Sequence, residues 1–272
     1  MLQFAKNLIR YHELIGVMAW KQIVVRYKQS YLGLAWAILK PLTLMLVFTL
    51  LNSFVSITHG SIPYPVLTFT ALMPWIFFQE SISDGVISIV ANAQLIRKIY
   101  FPREVFPLTA VLTKLVEFGI NALILGALML YFGVAPAPTI VWVPVLLAYT
   151  VLVALAIVLM GAAMNVFYRD VGTMLPILLQ LLMYASPVIY PLALVEKKLL
   201  VDRVAGPWSD LLFYIYRSNP MAGIIDSFQR TILYGKAPDI NALWPGMLVV
   251  ALLLPASYAV FKRAELYFAD IV

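Results

Sequence analysis

Glu80 and Asp84 are the first residues whose types and spacing can do chemistry. Four apart on a helix, they share one face, as an acid–base pair or a polar pathway requires. They sit in an otherwise apolar stretch, where carboxylates normally point into the protein or a wet cavity. The spacing equally fits a polar extension of the helix beyond the membrane, since residues 64–78 are already largely apolar. Lys114 and Glu117, three apart, either satisfy each other or bridge a neighbour, and a structural ion pair is the default. Lys40 lies about two turns into an apolar run, close enough to its end to snorkel.

Other chemistries are missing from the sequence. The one Gly-Lys, Gly235-Lys236, is followed by Ala237, so the chain has no phosphate cradle of its own. Any ATP, with its Mg, is expected on another polypeptide, and no cofactor is expected on this chain. The absence of cysteine excludes disulfides and thiolate metal sites, and the isolated His12 and His59 exclude a histidine cluster. No G-x-S-x-G or H-E-x-x-H occurs, and the remaining carboxylates are too scattered for a catalytic site.

The elements that must position these groups follow from composition. Of 272 residues, 63% are apolar and 12% charged, against a soluble norm of about 25% charged. With a mean hydropathy of +0.92, this reads as an all-α integral membrane protein. The net charge of +6 needs no nucleic acid, because the cations flank apolar runs instead of forming a separate basic face. Six transmembrane helices are expected, over residues 32–54, 64–90, 105–132, 140–167, 174–194 and 242–261, making residues 1–272 a single transmembrane domain. Pro74-Trp75 predicts a kink in the second span. Asp170 can cap the fifth, which is interrupted by Pro176, Pro187 and Pro191.

Loop charge sets the orientation. Residues 91–104 form a compact basic loop carrying Arg97, Lys98 and Arg103, and such a loop reads as cytoplasmic. Either its cations only fix orientation or the loop docks a cytoplasmic partner. Tyr168-Arg169-Asp170-Val171-Gly172 forms a second, smaller cytoplasmic turn, and loops 55–63 and 133–139 hold no Lys or Arg. The termini are therefore expected in the cytoplasm. No signal peptide is expected, because the first apolar patch, residues 14–20, is short and follows Lys6, Arg10 and Glu13.

Residues 1–30 place Phe4, Leu8, Tyr11, Ile15 and Met18 in a sector of about 80°, opposite Lys6, Arg10, Glu13 and Lys21. That pattern predicts an amphipathic interface helix; a helix packed on a soluble partner would show the same. Residues 195–241 differ from the rest. Two apolar patches, 207–216 and 221–234, flank Ser218-Asn219-Pro220 and are too short to span, so two short re-entrant external helices are expected. Lys197, Lys198, Arg203, Arg217, Arg230 and Lys236 stand against the charge rule there. Threading both patches as a seventh span would put Asn219-Pro220 in mid-bilayer.

Several short motifs carry a likeness. Arg26-Tyr27-Lys28-Gln29-Ser30-Tyr31-Leu32-Gly33 leads into Trp36 and Lys40-Pro41-Leu42. Then come Leu95-Ile96-Arg97-Lys98 with Phe101-Pro102, Phe167-Tyr168-Arg169-Asp170, Ser186-Pro187-Val188-Ile189-Tyr190-Pro191 and Asn219-Pro220-Met221. In this order they resemble the membrane (permease) subunit of type-2 ABC exporters of bacterial cell-surface polysaccharide, over nearly the whole chain, with O-antigen export the first choice and teichoic acid or capsule export sharing much of the pattern.

That resemblance implies a homodimer served by two separate nucleotide-binding ATPase subunits in the bacterial inner membrane, exporting an undecaprenyl-diphosphate-linked glycan to the outer face. It implies an ATPase-coupling role for Leu95, Ile96, Arg97, Lys98 and Arg103, a second contact at Arg169 and Asp170, and an external gate at Asn219, Pro220 and Met221. Tyr184 and Tyr190 are candidate aromatic platforms for the glycan, or packing residues, with Glu80 and Asp84 as further channel candidates. Arg26, Lys28 and Lys40 can meet the lipid diphosphate or simply snorkel. A drug exporter of the same class, a secondary transporter and a membrane-embedded glycolipid enzyme built on Glu80 and Asp84 are the rival readings.

Overall fold

Proline and glycine punctuate a chain that otherwise favours helix, and the helices stop and start at them. The computed structural model describes residues 10–28, 33, 35–55, 62–98 and 101–271, with 26–28, 55, 269 and 270 by backbone alone. The helices are α1 His12–Lys28, α2 Ala35–Val55, α3 Tyr64–Ala91, α4 Ala93–Lys98, α5 Val105–Tyr131, α6 Val143–Phe167 and α7 Asp170–Tyr184. They continue with α8 Leu192–Glu196, α9 Ser209–Ser218, α10 Pro220–Leu233, α11 Ile240–Ala264 and α12 Phe268–Ile271. Pro63 and Pro65 open α3, and Pro220 opens α10, at positions where a missing N–H costs nothing. Gly133, at φ +68°, closes α5: its N–H reaches the Leu130 carbonyl at 3.3 Å and that of Val134 the Met129 carbonyl at 2.8 Å.

The described residues form an all-helical, multi-pass membrane protein. Four stretches are long and apolar enough to cross a bilayer: Ala35–Phe54, Val105–Tyr131, Pro138–Phe167 and Ile240–Tyr267. They correspond to the expected first, third, fourth and sixth spans. Helix α3 is the axle, packing on α5, α6, α2, α10 and α7. It is 28 residues, about 42 Å, and so also long enough, but it carries Thr68, Thr70, Ser81 and Ser88 fully inside the bundle. A helix surrounded by protein need not be apolar all round, and two of these hydroxyls bond back to its own carbonyls, Thr70 to Val66 at 2.8 Å and Ser88 to Gly85 at 2.6 Å. The helix runs on through Pro74 without a break.

Close approach of α3 to α6 depends on paired glycines. A Cβ on Gly85 would lie 2.5 Å from Val158, and one on Gly161 2.6 Å from Val86, so each valine occupies the notch opposite it.

Three expectations need correction. Residues 174–194 are not one helix: α7 runs from Asp170 to Tyr184, 15 residues or about 22 Å, and the chain then turns through Ser186-Pro187. Pro187 disfavours helical backbone at residue 186 and Pro191 prevents early resumption, so the break is local chemistry. Asp170 does not cap α7; the cap acceptor is Asn165, whose Oδ1 takes the Gly172 N–H at 2.8 Å. Helix α1 turns Ile15, Leu14 and Met18 to the bundle, but its other side exposes Val17, Trp20 and Val25 beside Glu13 and Lys21. The expectations for Phe4, Lys6 and Leu8, and for the side chains of Arg26 and Lys28, lie outside the described residues.

Candidate functional site

Three groups of charged or polar side chains are assembled by this packing. The first lies inside the bundle. Lys114, on α5, is 0% exposed and its ammonium sits 2.8 Å from Asp84, 3.2 Å from Glu117 and 3.4 Å from Glu80. Lys40 of α2 pairs with the other oxygen of Glu80. One buried lysine thus binds α3 to α5, and Glu80 extends the link to α2. Such a cluster survives burial only because every charge has an opposite neighbour. Glu80 and Asp84 are therefore brought together as expected, but around a lysine, and Lys114 does far more than pair with Glu117. Lys40 is committed to Glu80, although half its side chain remains exposed.

The second group is at the basic end of the bundle. Helix α4 roots Ile96, 6% exposed, in a cluster with Ile89, Phe106, Phe261 and Phe268, while Arg97 and Lys98 stand exposed at its tip and Leu95 is half-buried. Arg103 faces elsewhere: its N–H donates to Glu265 Oε1 at 3.0 Å and its guanidinium to the Glu265 carbonyl. Glu104, almost fully buried, pairs with Lys262, which also binds Glu265 at 2.7 Å. Arg103 is thus an anchor of the loop to the end of α11, not part of the same exposed tip. Arg169 and Asp170 are exposed on the turn braced by Asn165.

The third group joins two motifs far apart in sequence. Asn219 caps α10, its Oδ1 accepting the Met221 N–H at 3.1 Å, while its Nδ2 donates to Ser186 Oγ at 2.8 Å. Ser186 donates in turn to the Leu182 carbonyl at 2.8 Å, so the helix break after α7 and the start of α10 are hydrogen-bonded together. Helix α10 is mostly buried, and Gln229 reaches the Leu67 carbonyl on α3 at 3.2 Å. It lies against α11 without room for a side chain: a Cβ on Gly223 would be 2.4 Å from the Ala242 carbonyl oxygen, and one on Gly246 2.6 Å from Pro220 Cα. Three of the six cations that stood against the charge rule are matched locally, Lys198 with Asp202 at 2.9 Å, Arg203 with Asp210 at 3.3 Å, and Arg230 with Asp226 and Asp239 at 3.5 and 2.8 Å.

Tyr184 ends α7 with its ring exposed, at the end of a stripe containing Met174, Ile177, Leu178 and Leu181. Tyr190 is half-buried and its hydroxyl donates to the Tyr184 carbonyl at 2.8 Å, which fixes the turn. The latch of Arg103 and Glu104 onto Lys262 and Glu265 went unread in sequence. Its only signal was the i, i+3 spacing of Lys262 and Glu265 at a helix end.

Membrane-length helices packed around a buried ionic hub define a multi-pass integral membrane protein. Residues 13–202 match the family described as ABC-2 type transporter, and the chain belongs to that family. Membership makes it a transport subunit, not an enzyme, that works with a nucleotide-binding ATPase subunit. It is 30% identical over 271 residues to the O-antigen export system permease protein RfbA of Myxococcus xanthus, covering 99% of both chains. An RfbA of Klebsiella pneumoniae is 26% identical over 275 residues, covering 100% of this chain and 99% of that one. The polysialic acid transport protein KpsM of Escherichia coli is 26% identical over 262 residues, covering 90% and 92%.

Proposed function

We propose that this protein is the channel-forming permease subunit of an ATP-driven exporter of undecaprenyl-diphosphate-linked polysaccharide, O-antigen first, from the cytoplasmic to the outer face of the bacterial inner membrane. The observation that carries this reading is the full-length likeness to export permeases, 99% of both chains in the first case. A capsule-type glycan is the second reading, favoured by the likeness to the polysialic acid transport protein.

In this reading α3 and α7 complete six spans, and α9 with α10 re-enters the outer leaflet without crossing. Two copies of the chain pair around the glycan path, each served by an ATPase that holds ATP and Mg. Arg97 and Lys98 face that ATPase from a helix whose root is locked by Ile96, so force applied at the tip reaches the bundle core. Arg169 and Asp170 add a second contact. At the other end, the Asn219–Ser186 bond and the closely packed Gly223 and Gly246 make α10 a gate that moves with α7 and α11. The exposed ring of Tyr184 is the better placed of the two tyrosines to meet sugar C–H faces.

The test is co-purification with the ATPase subunit followed by ATPase assays in vesicles. Stimulation by lipid-linked glycan and none by small hydrophobic drugs is expected. Stimulation by drugs alone, or glycan-lipid turnover by the permease without any ATPase, overturns the proposal.

A further inference from the structure

Near the end of the bundle away from α4, one face of α5 borders a cavity of about 350 Å³ that none of the roles above uses. Ala122, Leu125, Gly126, Met129 and Leu130 fall at i, i+3, i+4, i+7 and i+8, a single stripe along the helix. Met73 of α3, Val143 of α6 and Ile232 of α10 help to enclose the space beside that stripe, and no polar side chain among the described residues lines it. The cavity is thus an apolar groove running along α5. Leu125 and Met129 are buried, whereas Ala122, Gly126 and Leu130 are exposed, so the groove is open on one side. A Cβ on Gly126 would meet nothing within 4 Å. From Ala122 to Leu130 the stripe is about 12 Å long, against ~15 Å for one leaflet of a ~30 Å hydrocarbon core. Exposed Tyr131 and Trp142 mark its shallow end as the membrane surface. Met73, nine residues past the start of α3, and Ala122, nine before the end of α5, set its deep end.

We infer that one acyl chain of a membrane phospholipid lies lengthwise in this groove, its methyl end at Met73 and its glycerol end near Tyr131 and Trp142. An apolar wall offers water no partner and, left bare, forgoes its dispersion contacts, so at this depth hydrocarbon fills it. The groove runs most of the thickness of a leaflet, as an acyl chain does. An undecaprenyl chain is several times longer and would leave most of itself outside, so the occupant is not the tail of the proposed cargo. The position also gives the chain a task. The Ala137 N–H donates to the Ile232 carbonyl at 3.0 Å and the Thr139 hydroxyl to the Thr231 carbonyl at 2.7 Å, which fastens the turn between α5 and α6 to α10. An acyl chain packed on Ile232 and Met129 supports that junction from the lipid side.

The experiment uses the full-length permease reconstituted in phospholipid bilayers that contain a phosphatidylcholine with a photoreactive diazirine near the methyl end of one acyl chain. After illumination, labelled residues are mapped by peptide mass spectrometry. Label is expected on Met73, which is buried, as well as on Leu123, which faces outward at a similar depth. Gly126→Leu and Ala122→Phe fill the groove from exposed positions and should lower the Met73 label about tenfold, the effect of losing roughly two buried methylenes, while the Leu123 label stays. Gly126→Leu enters open space and replaces a helix-interior glycine, so it should fold at least as well, which thermal melting checks. No label on Met73 in the native protein, as when a second copy covers the groove, overturns the inference. So does undiminished Met73 label in folded Gly126→Leu, or displacement of that label by polyprenyl phosphate in preference to unlabelled phosphatidylcholine. No transport is measured, so that failure leaves the exporter reading standing.

Discussion

Replacing Lys114 by Met removes the one fully buried cation among the described residues while leaving a side chain of similar length. Glu80, Asp84 and Glu117 then converge on an apolar tip, while Lys40 of α2, half exposed, stays bonded to Glu80. Breaking a buried pair in this way costs about 3–5 kcal/mol, because the surviving charges keep their desolvation penalty without their partner. Three carboxylates lose a contact at once, which argues for the upper part of that range. The assay is the thermal midpoint of the detergent-solubilised permease, followed by size-exclusion retention after heating and by unfolding in mixed micelles. The cost should shrink in Lys114→Met combined with Asp84→Asn and Glu117→Gln, since neutral amides no longer demand a cation; that recovery separates charge from packing. A loss below about 1 kcal/mol for Lys114→Met, or no recovery in the triple variant, would refute the reasoning that the hub joins α3 to α5 electrostatically.

Arg97→Glu with Lys98→Glu should lower co-purification of the ATPase subunit at least tenfold while the permease still inserts and elutes as before, because both side chains stand outside the core that Ile96 anchors. Asn219→Ala, which loses the α10 cap and the bond to Ser186, should cost about 1–2 kcal/mol in the same melts, and Asn219→Asp, which keeps the cap, should cost less. Burial pushes the Asp226 carboxyl up from 3.8 to about 6, against the pull of Arg230 and with added push from Asp239 and Glu196. The folded protein then holds this proton more tightly than the unfolded chain, so its contribution is greatest below about pH 4 and is lost as pH rises through about 6. Melts across that window should show the decline in the native protein and a flatter profile in Asp226→Asn.

The sequence by itself determined the class of protein. Unbroken apolar runs of membrane length have one stable solution, a helix that satisfies its own backbone, and loop cations mark which ends are basic. The sequence also lacks the glycine and lysine spacing of a phosphate-binding loop, which set the expectation that any ATP belongs to another chain. The two short helices around Asn219 were legible for the same local reasons: patches too short to span, parted by a capping residue and a proline. The prolines in residues 174–194 marked an interrupted helix, but where it ends, at Tyr184 ahead of Ser186-Pro187, was set by backbone geometry that hydropathy does not register. What only the tertiary structure decided was the pairing of distant side chains. Glu80 and Asp84 have the spacing of a catalytic pair, yet α5 inserts Lys114 between them and neutralises both. Arg103 and Arg97 look alike in one basic loop, but Glu265 claims the first, while Ile96 roots the short helix that leaves the second exposed at its tip. Electrostatic contacts act through space between helices, and the order of residues along a chain carries no record of which helix faces which.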